Sequence, residues 1–369
     1  MIYLDNAATT AQKPPAVAQA MLRTLNGTYG NPGRGSHDYS FRAQQVVEGT
    51  RDALGTLVGG FARERILLNS GVTYSLNLAI KGLVQSTDHI ITTVCEHNSV
   101  LRPLYETGCE LSFLEMDENF RPNFSKVNSL IKSNTKGLVM THGSNVTGAV
   151  SPFEDILDVA KAHGLWVILD GAQTLGQIPV DLQKAEDEAM IYAFTGHKSL
   201  YGPMGTGGLF LGGALRPTTL ITGGSGIYSF SKTMPTELPI YYEAGTMNVP
   251  GLAGLCEGVK FCTEAIQTAS DCFDNLVNGL RSLKKVTVFH PLEGPATHTV
   301  SFAVEGYASG EVAMLLEERG ICGRSGFHCA PLIHRALKTN DDGLMRLATS
   351  CFTTADDIVA TLEAVADII

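Results

Sequence analysis

Apolar and polar positions along this chain alternate between two rhythms, one repeating every three to four residues and one every second residue. Behind Pro14-Pro15, residues Val17, Met21 and Leu25 share one face at helical spacing, and Asn26-Gly27 closes that first helix. Asn31-Pro32-Gly33-Arg34-Gly35-Ser36-His37 is too glycine-rich and polar for regular structure and predicts a loop, followed by a longer helix from about Ser40 to Gly59. The period then switches repeatedly. It predicts a strand from Arg65 to Leu68, a helix from Val72 to Val84, a strand from His89 to Val94, a helix from Asn98 to Tyr105 and a strand from Glu110 to Leu114. Strands follow at Gly137 to Thr141 and Trp166 to Asp170, and between them Ser151-Pro152-Phe153-Glu154 predicts a capping box with proline at the first helical position. Such alternation predicts an α/β fold with a mostly parallel sheet covered on both faces.

Strand-like segments at Met190 to Phe194 and Gly207 to Leu211 flank a glycine-rich turn, which predicts an antiparallel return near the sheet edge. Beyond Pro250 the texture changes. A helix through Phe261, strands near Val286 to Phe289 and Thr299 to Val304, a helix from Glu311 to Arg319, a strand at Leu344 to Ala348 and a final helix from Thr354 predict a smaller α+β domain. The expected division is a large domain at 15–250 and a small one made of 1–14 and 251–369. A length of 369 residues agrees with two domains, since single cores stop growing below that size.

Composition narrows the function. With 44% hydrophobic and 17% charged residues the chain reads as compact and globular, not disordered. A formal charge of −10 without clustered Lys and Arg argues against nucleic acid and leaves a small-molecule substrate. The start of the sequence has no basic region followed by an apolar stretch, and no later run is long enough for a bilayer, so the expected location is cytoplasmic, with no membrane partner. Eight cysteines include no Cys-x-x-Cys pair, so no metal site is expected, and most should be small buried hydrophobes.

Four places carry candidate chemistry. In Thr195-Gly196-His197-Lys198 a lysine stands at a strand end before a glycine-rich turn; most loop lysines are solvated, but a Schiff-base lysine needs this kind of partly desolvated placement. Asp170 ends the apolar strand Trp166 to Leu169, where a carboxylate either caps a helix or holds a pyridinium nitrogen protonated. Asn69-Ser70-Gly71-Val72-Thr73 turns a strand into a helix, and the free N–H groups there suit a phosphate as well as a routine turn. His97, just past another strand end, is placed to stack on a ring or carry protons, although a lone histidine is more often structural.

Together these places resemble the class V aminotransferase family of pyridoxal-phosphate enzymes, in its cysteine desulfurase and selenocysteine lyase branch. The resemblance runs through seven ordered blocks: Tyr3 to Thr10, Asn31 to His37, Glu96 to Ser99, Ser144 to Gly148, Asp170 to Gln173, Gly196 to Lys198, and Ala244 to Thr246. It implies the pyridoxal-phosphate fold type I, with a seven-stranded sheet. It further implies that Lys198 binds pyridoxal 5'-phosphate covalently, Asp170 pairs with the pyridine nitrogen, Gln173 contacts the phenolic oxygen and His97 stacks on the ring. Val72, Thr73, Thr195 and His197 would hold the phosphate, and Thr246 would reach it from the second subunit of a homodimer. Asn145 and Arg346 would grip the substrate carboxylate, a bidentate task that suits a guanidinium.

Cys322-Gly323-Arg324-Ser325-Gly326-Phe327-His328-Cys329-Ala330-Pro331 resembles the persulfide loop that separates desulfurases from other members, in the compact form of the Suf-type subgroup. Cys329 is then the sulfur acceptor, with Arg324 beside the substrate and a further acceptor protein downstream; the bland alternative is an inert core thiol. Tyr74, Met247 and Phe327 stand where relatives often carry an acid, a proline and a histidine. The expected activity is conversion of L-cysteine to L-alanine with sulfur passing to Cys329, assisted by His97. Alternatives are a selenocysteine lyase, another lyase or transaminase on the same scaffold, and a non-catalytic scaffold.

Overall fold

The computed structural model describes residues 1–33, 35–265 and 270–369, so Arg34 of the glycine-rich loop lies outside the described residues. The chain opens with a short strand β1 (Ile2–Tyr3), followed by helices α1 (Pro15–Asn26) and α2 (Asp38–Leu57). Next come β2 (Ile66–Asn69), α3 (Val72–Leu83), β3 (His89–Thr93), α4 (Asn98–Thr107), β4 (Glu110–Leu114), α5 (Val127–Leu130) and β5 (Thr135–Thr141). Then follow α6 (Phe153–His163), β6 (Trp166–Asp170), β7 (Met190–Thr195) and β8 (Gly207–Leu211). The remainder holds α7 (Val249–Ala265), α8 (Ser270–Ser282), β9 (Val286–Phe289), β10 (Thr299–Val304), α9 (Ser309–Glu318), β11 (Ile321–Cys322), α10 (Pro331–Ala336), β12 (Met345–Ala348) and α11 (Ala355–Ala366).

The central sheet has seven strands in the order β2-β8-β7-β6-β5-β3-β4. Strands β3 to β7 pair in parallel, and β8 runs antiparallel to β7 and to β2. The predicted antiparallel return is therefore present, one place in from the edge strand β2. Strand β7 is buried along its whole length and β6 from Val167 onward, as apolar parallel strands must be when helices cover both faces. The chain reverses its direction of progress across the sheet between β3 and β5, so the carboxyl ends of β3, β5, β6 and β7 border one crevice.

The smaller unit is a three-stranded antiparallel sheet, β12-β10-β9, packed with α8, α9 and α11 around Leu276, Val300, Phe302, Leu316, Leu347 and Val365. Strand β1 pairs in parallel with β11 and so joins this unit. Helix α7 does not. Although the expected division at residue 250 assigns it to the small unit, Val249, Leu252, Leu255, Val259 and Cys262 lie in the core of the large one. The predicted capping box also does not form: α6 begins at Phe153 without a side-chain cap, and Ser151 Oγ instead donates to the Thr141 carbonyl at 2.9 Å. Helix α8 had no counterpart among the sequence expectations, although Phe273, Leu276, Val277 and Leu280 carry helical spacing.

Candidate active site

At the end of β6, Asp170 is 5% exposed, and its Oδ1 accepts the Ala172 N–H at 2.9 Å. Burial raises its pKa, opposed by the Ala172 hydrogen bond and by the charge of Lys198. Gly171 is required here, because a Cβ would come within 2.1 Å of the Tyr192 ring. The Tyr192 hydroxyl lies between His142 Nδ1 and Thr174 Oγ1, 2.7 Å from each. Burial pushes His142 down to about 4, so Asp170 rests on an uncharged polar network.

Lys198 follows β7 in a turn fixed by hydrogen bonds from Gly196 N to Thr206 O at 2.8 Å and from Gly202 N to Gly196 O at 2.7 Å. A Cβ on Gly196 would sit 2.2 Å from Thr206 Oγ1, so a larger residue cannot make this turn. The N-terminal segment straps the turn from outside: Thr10 N–H donates to the His197 carbonyl, Thr10 Oγ1 to the Lys198 carbonyl and Lys13 Nζ to the His197 carbonyl, each at 3.1 Å. Among the described residues nothing hydrogen-bonds the Lys198 amine. Burial brings it down to about 8; Asp170 and Asp5 pull it up, while Arg346 and Arg324 push it further down. These charges act on one amine, so the structure brings Lys198, Asp170, Arg324 and Arg346 together.

Beside them, α3 starts directly after β2 with Gly71 at φ 141° and no side chain capping its first turn. Thr195 Oγ1 would be 3.4 Å from a Cβ on Gly71, which places the end of β7 against the open turn carrying Val72 and Thr73. Thr73 Oγ1 meets Ser99 Oγ at 2.9 Å, and Ser99 N–H donates to His97 Nδ1 at 3.0 Å, making His97 the N-cap of α4. Burial, and then the charges of Lys198, Arg346, Arg324 and Arg102, hold His97 at about 4; with Nδ1 accepting, the neutral ring carries its proton on Nε2. His197 is likewise pushed to about 4 by burial, and its Nδ1 is buried without a hydrogen-bond partner among the described residues. Gln173 Nε2 donates to the Ala7 carbonyl at 3.0 Å. Thr246 is exposed in a cleft it shares with Asn69 and Ser70 of the β2–α3 turn and with Tyr74 and Met247.

The far wall comes from the small unit. Arg346 on β12 is 2% exposed; its Nη2 binds Asp5 Oδ1 at 2.8 Å, its Nη1 donates to the Asn145 carbonyl at 3.0 Å, and its Nε is buried without a partner among the described residues. Asn145 Nδ2 donates to the His328 carbonyl at 2.7 Å, and Asn98 N–H donates to the Cys329 carbonyl at 2.7 Å. His328 and Cys329 are both left-handed, with φ of 49° and 57°. Two consecutive non-glycine residues in that region store strain, which these hydrogen bonds offset. All eight cysteines are free, and Cys329 is the exposed one. Phe327 is 45% exposed and packs edge-on against His334.

Asp5 and Glu96 lie inside two of the seven sequence blocks, with no role expected of either from the sequence. Asp5 pairs with a residue 341 positions away, which no local pattern encodes. Glu96 carries a sequence signal, an acid directly after an apolar strand, that points to a buried carboxyl. Among the described residues, no group of three or more His, Cys, Asp or Glu side chains could hold a metal ion.

The model of the aminotransferase class-V family matches residues 2–360, and the chain belongs to that family. Its relatives there are cysteine desulfurases. The cysteine desulfurase IscS of Pectobacterium carotovorum is 30% identical, over 99% of this chain and 91% of its own. That of Serratia proteamaculans is 31% identical over the same shares. The apo structure of a cysteine desulfurase from Thermococcus onnurineus NA1 superposes with a TM-score of 0.90 at 27% identity, over 100% of this chain and 94% of the other. The S-sulfonic acid form of Escherichia coli CsdA gives 0.87 at 26%, over 99% and 94%. The mostly parallel seven-stranded sheet is thus that of pyridoxal-phosphate fold type I.

Proposed function

We propose that this chain is a cysteine desulfurase that holds pyridoxal 5'-phosphate on Lys198 and takes the sulfur of L-cysteine onto Cys329. One observation carries the proposal: a half-buried Lys198 amine, with no hydrogen-bond partner among the described residues, lies within the electrostatic reach of Asp170, Arg324 and Arg346, and the exposed Cys329 stands in the loop that follows Arg324. The residues fit the coenzyme. The uncapped turn at Gly71, the unpartnered His197 Nδ1 and the close approach of Thr195 suit a phosphate, held by Val72, Thr73, Thr195 and His197. Asp170 would pair with the ring nitrogen, His97 would lie on the ring face as a neutral imidazole, and Gln173 would meet the phenolic oxygen.

When bound, the coenzyme supplies an electron sink for the Cα carbanion of the substrate. Arg346, through its free Nε, and Asn145 would orient the substrate carboxylate, with Arg324 adding positive charge. The Lys198 amine, near 8, is matched to moving the Cα proton near neutral pH. The Cys329 sulfur attacks the substrate sulfur; an S–S bond forms, the S–Cβ bond breaks, and its electron pair stays on carbon, which takes a proton and leaves as L-alanine. Thr246, exposed in the cleft beside the β2–α3 turn, fits a role toward a second subunit; in this reading the working form is a homodimer that passes sulfur to an acceptor protein. No helix among the described residues is long and apolar enough to cross a membrane, in keeping with a cytoplasmic place of action. Helix α7, packed in the large core, supports a domain division after it and not at residue 250.

The test is borohydride reduction of the coenzyme-loaded chain with peptide mapping, alongside alanine and persulfide measurement on L-cysteine. The expected result is a coenzyme label on Lys198 and persulfide on Cys329. A label on another lysine, or alanine released at the wild-type rate by Cys329→Ala, overturns the reading.

A further inference from the structure

Glu96 is fully buried at the carboxyl end of β3, between the crevice and the sheet. Its Oε1 accepts two hydrogen bonds, from Thr93 Oγ1 at 2.5 Å and from Thr141 N–H at 2.9 Å. Its Oε2 is buried with no partner among the described residues. Thr93 ends β3 and Thr141 ends β5, where it stands opposite Asp170 in the β5–β6 pairing. His97 is the next residue in the chain. One carboxyl group therefore joins the two strand ends that present the proposed ring-stacking and nitrogen-pairing residues.

The charge state follows from the surroundings. A buried carboxylate with one oxygen unsolvated and unbonded is costly, and no Lys or Arg pairs with Glu96. The titratable groups that bear on it are Asp170 from β6, whose negative charge opposes ionisation, and the neighbouring Cys95, which is buried and neutral; Asp117 and Glu115 act in turn on Cys95. We propose that Glu96 is a positioning residue for the coenzyme site: as a neutral acid it ties the end of β3, carrying His97, to the end of β5 beside Asp170, and adds no second negative charge there. The proposal rests on the coenzyme reading of Lys198. Burial, the largest influence, raises Glu96 to about 8, in agreement with the geometry.

The test uses the full-length chain and the variants Glu96→Gln, Glu96→Asp and Glu96→Ala, with two readouts. The first is affinity for pyridoxal phosphate. Glutamine keeps the length and the accepting oxygen, so Glu96→Gln should bind within about threefold of wild type, whereas aspartate and alanine lose the Thr93 and Thr141 bonds and should weaken binding about tenfold or more. The second readout is thermal stability of the coenzyme-free chain against pH. Folded wild type keeps the Glu96 proton up to about 8 while the unfolded chain releases it near 4.5, so wild type loses stability as pH rises through that window. The Tm advantage of Glu96→Gln over wild type should therefore widen from pH 5 to pH 8. Binding by Glu96→Gln as weak as by Glu96→Ala, or a Tm difference that stays flat with pH, overturns the proposal. Absence of coenzyme uptake by wild type would instead overturn the proposed function, and the Tm comparison would still decide the state of Glu96.

Discussion

Cys329 depends on the backbone beneath it. Its carbonyl and that of His328 are held by Asn98 and Asn145, so the thiol is exposed while the chain around it is fixed. Replacing Cys329 by alanine removes the proposed nucleophile without touching Lys198 or Asp170. Persulfide formation should disappear, and alanine release from L-cysteine should fall by about a hundredfold or more, while the coenzyme spectrum stays in place. Lys198 gives a second prediction. Its amine reacts with an aldehyde only as the free base, so below about 8 the rate of coenzyme uptake by the coenzyme-free chain should rise about tenfold per pH unit. Asp170 pulls that amine upward, so Asp170→Asn should shift the pH limb to lower values, as stopped-flow absorbance will report. The positions proposed for the site are marked in the sequence by strand ends: Asp170 closes β6, Lys198 follows β7 and His97 follows β3. Asp5 was not legible as the partner of Arg346, because their contact arises only when the start of the chain joins the small unit beside β12, 341 positions away.

Among the elements, the parallel strands were the most readable, since burial on both faces leaves a continuous apolar run between polar helices. The misreadings have local physical causes. Ser151 resembles an N-cap in sequence, but its hydroxyl is drawn to the Thr141 carbonyl by the neighbouring strand end. Helix α7 begins at a proline, Pro250, and a change of texture, yet it packs on α1 and α2, which lie about 200 positions earlier in the chain. The turn after β6 carries a testable constraint. Gly171 faces the Tyr192 ring with no room for a methyl group, and Tyr192 is held by His142 and Thr174. Gly171→Ala should cost about 1–3 kcal/mol in urea denaturation and lower coenzyme affinity by displacing Asp170.

Across the whole molecule, buried imidazoles set the response to acid. His97, His142, His197, His290 and His334 are held at about 4 and His328 at about 2, chiefly by burial. Between those values and the 6.5 of an unfolded histidine, the unfolded chain binds more protons than the folded one. Stability should thus be lost as pH falls below 6.5, seen as a lower urea midpoint at pH 5 than at pH 7, with Glu96 acting in the opposite sense over part of that range. The N-terminal strap has a consequence for biosynthesis. Ile2 bonds to Gly320, Leu4 to Cys322 and Ala348, and Asn6 to Ala348, so this early segment finds its place only once positions 320 to 348 have been made. Until then the strap over the turn at Lys198 lacks its anchor at Gly320, Cys322 and Ala348, and a nascent chain halted before position 320 should react with aldehydes as an ordinary lysine-bearing polypeptide does.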